Sequence, residues 1–206
     1  MTRWMMTRLL GCIVLLGLST APAAMAQSAT PPSDDGRPAC AAAPQDGTPE
    51  EGAETDLAEW QTLTMTDVRT GEDFAVGDFL GCTVYVETMA TWCINCMIQM
   101  ENVAAALPDL DPDQHVVVSI SIETELASED LAKYADNSDF DWVFSVASPE
   151  MLKAIVDAFG RDALVPSITP HVIVYPDGTA GSLQTGGASP EDIVDMMNET
   201  SEASLR

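Results

Sequence analysis

Apolar positions along this chain come in short blocks set off by polar punctuation. Leu63, Met65 and Val68 alternate loosely with Thr and Asp, the mark of a half-buried strand. Thr70-Gly71-Glu72-Asp73 predicts a turn, with residues 74–76 returning. Residues 82–88 read as a strand, and 115–122 is a continuous apolar run with β-branched side chains, as expected of a strand covered on both faces. Between them a helical pattern occupies 93–107 and closes at Pro108. Ser128-Glu129-Asp130 opens a helix to Asn137, and residues 140–146 suggest a short strand. Ser148-Pro149 supplies an N-cap and a first-turn proline for a helix ending at Gly160. Residues 171–175, the turn Pro176-Asp177-Gly178 and residues 179–184 predict a hairpin, and Ser189-Pro190 starts a last helix. No internal repeat is visible. The order predicts an α/β domain: a central mixed sheet flanked by helices, with an N-terminal β-hairpin extension.

The ends read differently. Arg3 and Arg8, the apolar stretch 9–18 and Ala24-Met25-Ala26 before Gln27 have the form of a cleaved export signal over residues 1–26. Leu9-Leu10-Gly11-Cys12 is superficially like a lipoprotein signal, but the apolar stretch continues past Cys12 where it should end. Residues 27–57 are rich in Pro, Ala, Gly and acids and almost without large apolar side chains, so they read as a flexible linker. The domain is expected over 58–200, with a short tail at 201–206. An exported protein, periplasmic or otherwise extracytoplasmic and without a membrane span after signal removal, follows from this reading.

Charge narrows the function. The chain holds 33 acidic residues against 8 Lys and Arg, a formal charge of −25. Removing the signal takes two of the basic residues and no acidic ones, leaving about −27. Such a field excludes a nucleic-acid role. It suits solubility in a demanding exterior or steering toward a basic partner.

Trp92-Cys93-Ile94-Asn95-Cys96 carries the chemistry. Two thiols one helical turn apart, directly after a strand and at the start of a helix, lie where unpaired backbone N–H groups favour thiolate. Such a pair cycles between dithiol and disulfide. Cys93 is then the nucleophile, Cys96 the resolving thiol, and Trp92 a shield and apolar contact surface. A structural zinc site needs four ligands, and no second pair of thiols or histidines stands nearby. Met89, Met97 and Met100 around the cysteines raise a copper(I) chaperone as an alternative, although Met97 and Met100 also have the spacing of core packing. No bound cofactor is required. Of the remaining cysteines, Cys40 and Cys82 are assigned a structural disulfide, the alternative being a free, buried Cys82.

Residues 87–96, Glu87-Thr88-Met89-Ala90-Thr91-Trp92-Cys93-Ile94-Asn95-Cys96, together with Thr169-Pro170, resemble the thioredoxin superfamily, and within it the exported TlpA/ResA-like branch. The resemblance spans residues 60–197. It implies a thioredoxin-like fold and thiol–disulfide exchange with protein substrates, apocytochrome c thiols among them, fed by a membrane thiol carrier. It also implies that Glu87, six residues before Cys93, is a buried acid serving Cys96, and that Thr169-Pro170 is a cis-proline loop bordering the substrate groove. Val165-Pro166 is the rival for that loop, but Pro170 is better placed, immediately before the apolar run 171–175. His171, next in sequence, either reaches the site or is simply packed. The same chemistry run backwards would make a thiol oxidase or isomerase. Ile94 and Asn95 bring no cation to stabilise a thiolate, which tilts the reading toward a reductant.

Overall fold

The structure is a computed structural model that describes residues 57–199. The expected export signal, almost all of the linker, the C-terminal tail and Cys40 lie outside the described residues.

Four strands form the central sheet: β3 (Thr83–Met89), β4 (His115–Ser121), β5 (Val143–Val146) and β6 (His171–Val174), in the order β5-β4-β3-β6. The first three are parallel, and β6 runs antiparallel against β3. All seven residues of β3 are buried, which explains why its sequence does not alternate: both faces are covered. Tyr85 and Met89 belong to one core, with α2 (Ile94–Ala106), α3 (Ser128–Asn137) and α5 (Pro190–Asn198). Val84 and Val86 belong to the other, with α1 (Glu59–Thr62) and α4 (Pro149–Phe159). A separate two-stranded sheet, β1 (Met65–Thr66) and β2 (Asp73–Phe74), forms the expected N-terminal hairpin.

Three local features differ from the sequence reading. Trp60 sits in the unforeseen helix α1, edge-on to Phe159 of α4. Pro108 does not stop the chain turning after α2, because a 3₁₀ turn, Leu107–Asp109, carries it on. The return limb after Pro176-Asp177-Gly178 is not a regular strand. Gly181 N donates to Ile173 O, and His171 and Gln184 exchange both backbone hydrogen bonds. Two steps along β6 thus face three on the limb, so Ser182 and Leu183 accommodate an extra residue.

Candidate redox site

Cys93 and Cys96 form a disulfide with Cα atoms 5.3 Å apart. Cys93 is the N-cap of α2, its extended backbone placing Sγ 3.1 Å from the Cys96 N–H, which donates to it. The turn before it closes through Cys93 N to Ala90 O at 3.0 Å. Both sulfur residues are withdrawn, Cys93 at 5 % and Cys96 at 2 % exposure, while Trp92 at 67 % and Ile94 at 65 % stand out beside them. Ile98, one turn along α2, and Val165 add exposed apolar surface.

The segment between α4 and β6 comes across to the motif. Cys96 Sγ lies 3.3 Å from the Pro166 carbonyl oxygen, an acceptor suited to the thiol of the reduced pair. Asn95 Nδ2 donates to Ser167 O at 2.7 Å, and Gly186 N to Ile168 O at 2.7 Å. Thr88 Oγ1 ties the same segment to β3 by donating to Ala163 O. A groove of about 320 Å³ results, lined by Asn95, Ile98 and Gln99 on one side and Ser167, Ile168 and Thr169 on the other. Thr169 lines that groove in a left-handed conformation (φ 50°). Pro170 is set back from the groove: it is buried, and its carbonyl accepts from Thr88 N at 3.3 Å. The carbonyl against the resolving sulfur belongs to Pro166.

Glu87 is 4 % exposed and lies on the sheet face shared by Tyr85, Met89 and the cysteines, because residues two apart on a strand point the same way. Its Oε1 accepts from Ser119 Oγ at 2.7 Å, and Ser119 Oγ accepts from Trp142 Nε1 at 2.8 Å. Burial pushes its pKa up to about 7, against a smaller opposing effect of the Ser119 hydrogen bond. Its hydrogen bond runs to β4 rather than to either sulfur. His171 pairs with Glu87 across β3 and β6, but its ring stacks on Tyr85 at 5.1 Å and its Nδ1 donates to Thr169 O at 2.9 Å. Burial holds its pKa below the usual histidine value, opposed by that hydrogen bond, so it is a packed, neutral ring.

Met89 and Met100 are wholly buried in the core, which spends two of the three thioethers on packing. Cys82 is fully buried, its Sγ 3.8 Å from Asp113 O; the expected Cys40–Cys82 bond falls outside the described residues.

Two contributors were not foreseen. Gln99 bridges Tyr85 OH (3.2 Å) and Ala188 N (2.8 Å), joining α2, β3 and the loop before α5 under the groove. A glutamine three residues after Cys96, on the stripe of Met100 and Val103, was its only sequence signal. Glu123 bonds to Thr91 just before the motif, and nothing in the order of residues pairs those two positions.

No known family pattern and no curated protein matches the sequence. Solved structures do. A thioredoxin-family thiol:disulfide interchange protein from Chlorobium tepidum TLS superposes with a TM-score of 0.57 at 16% identity, covering 70% of this chain and 93% of that one. A secreted Mycobacterium tuberculosis disulfide oxidoreductase, homologous to E. coli DsbE, gives 0.52 at 13% identity, with 68% and 96% covered. The pneumococcal exposed lipoprotein thioredoxin from Streptococcus pneumoniae strain TIGR4 gives 0.52 at 16% identity, with 66% and 96% covered. At these identities the likeness is one of architecture: this chain has the thioredoxin fold.

Proposed function

We propose that the protein is an exported thiol–disulfide oxidoreductase, acting as a TlpA-like reductase on disulfides of envelope or secreted proteins, including those it would return to apocytochrome c thiols. The observation that carries this reading is the Cys93–Cys96 disulfide at the N-terminus of α2, between an exposed apolar rim and a buried acid of raised pKa. The secreted and surface-exposed settings of two structural neighbours, and the signal-like residues 1–26, support an extracytoplasmic location.

In the reduced protein the Cys93 thiolate attacks one sulfur of the substrate disulfide. A mixed disulfide forms and the other substrate sulfur leaves, taking up a proton. Cys96 gives its proton to Glu87, directly or through water, and its sulfur attacks Cys93 Sγ, releasing the second substrate thiolate. The enzyme ends oxidised by two electrons and the substrate reduced by two. A membrane thiol carrier reverses the change at Cys93–Cys96. Trp92 and Ile94 receive the apolar flank of the substrate, Thr169 borders its groove, and Pro170 fixes the chain behind it. Cys40 and Cys82 serve as a structural tie from the leader segment to the domain.

The deciding experiment equilibrates the mature protein with glutathione or dithiothreitol buffers and reads the Cys93–Cys96 potential. A value near roughly −270 mV supports the reductase; one near roughly −120 mV makes the protein a thiol oxidase. Cys96→Ser should accumulate the mixed disulfide with substrate, visible on non-reducing gels.

A further inference from the structure

Glu123 reaches the motif through the register of the sheet. Strands β3 and β4 pair in parallel up to Met89 opposite Ser121, and Ile122 N extends the ladder to Met89 O at 2.9 Å. The next residue is Glu123, and its side chain turns toward Thr91. Oε2 accepts from Thr91 N at 2.6 Å and from Thr91 Oγ1 at 2.9 Å, with Ser121 Oγ at 3.5 Å. Its own N–H donates to Ser121 Oγ at 3.3 Å. The carboxylate is therefore pinned two residues before Cys93, in a half-buried turn. Among the described residues it pairs with no cation. From α3, Tyr134 feels Glu87, Glu101 and Glu123 together and is a neutral phenol, its pKa pushed up to about 12 chiefly by burial.

A fixed negative charge here opposes a second one on Cys93, against the help that sulfur gets from the start of α2. A dithiol whose thiolate is disfavoured holds its electrons less firmly, so the pair becomes a better reductant. We infer that Glu123 is a positioning residue that sets the redox poise of Cys93–Cys96: its hydrogen bonds fix the Thr91–Trp92 turn, and its charge holds the pair toward the reducing end. This rests on the thiol-exchange reading above and goes beyond it, since it assigns the direction of electron flow to a residue outside the motif.

The two effects separate by substitution. Glu123→Gln keeps an oxygen that accepts from Thr91 and removes the charge; Glu123→Ala removes both. The readouts on the full mature chain are the equilibrium between disulfide plus two glutathione and dithiol plus glutathione disulfide, and the ultraviolet thiolate titration of Cys93. For Glu123→Gln the equilibrium should move toward the dithiol by about fivefold, equivalent to about 20 mV, and the thiolate should form at lower pH. Glu123→Ala should shift the same way and also slow exchange with protein disulfides. A Gln variant with an unchanged equilibrium constant and thiolate titration would overturn the inference, even if the Ala variant is impaired, since Glu123 would then be structural only. If the wild-type pair does not exchange with glutathione, the oxidoreductase reading itself fails, and the inference with it.

Discussion

Glu87 couples the chemistry of a single side chain to the stability of the fold. Its pKa is raised from 4.5 to about 7, so the folded protein binds this proton more tightly than the unfolded chain. Between those values the folded state carries more protons, and stability falls as pH rises. Over that window the change is about 3 kcal/mol. Stability from this group is full below pH 4.5 and gone above about pH 7. Glu87→Gln should remove the dependence and be the more stable protein at pH 8, as read by urea denaturation at pH 5 and pH 8. The same substitution should slow resolution of the mixed disulfide about 100-fold and erase its inflection near pH 7, measured by stopped-flow release of a labelled substrate thiol. At this scale the sequence was half legible. Cys93 and Cys96 announce themselves by spacing, and Glu87 stands out as one acid in an apolar strand. Pro166 stands out only as the rival to Pro170 and Glu123 not at all, because their contacts with the motif cross 70 and 32 positions and depend on sheet register and loop path.

At the scale of elements, α4 tests how much local rules contribute. Ser148 Oγ accepts from Met151 N at 3.1 Å at its start, and Gly160 ends it at φ 83°. Ser148→Ala should cost about 1 kcal/mol, and Gly160→Ala about 2 kcal/mol through its positive-φ, extended-ψ backbone alone, a region essentially only glycine adopts, since nothing crowds that position. Neither should alter the disulfide's potential; guanidinium melts beside glutathione equilibration would check both halves. Elements with such punctuation were readable from sequence. Helix α1 was not: four residues around Trp60 owe their place to burial against Phe159 rather than to propensity. The limb after Gly178 read as a strand because its composition allows one, yet the extra residue at Ser182–Leu183 breaks the ladder, and composition does not encode such a count.

For the whole molecule the governing quantity is charge. The formal charge is −25, yet the rim of the site, Trp92, Ile94, Asn95, Ile98 and Val165, is uncharged. Substrates that present apolar residues among basic ones should therefore be steered in, and acidic ones repelled. For a cationic disulfide peptide, kcat/KM should fall about tenfold from 0.01 to 0.15 M salt as the screening length shrinks. An acidic peptide of the same core sequence should gain. Equal salt responses would mean that the charge serves solubility alone.

The exposure of Trp92 has an optical consequence. Trp60 and Trp142 are buried in opposite cores, whereas Trp92 stands in solvent next to the sulfurs. An uncharged aqueous quencher such as acrylamide, which the acidic surface does not repel, will extinguish the emission of Trp92 and leave that of Trp60 and Trp142 nearly intact. A docked substrate covers the same indole, so the loss of quenching reports occupancy of the site without any attached dye.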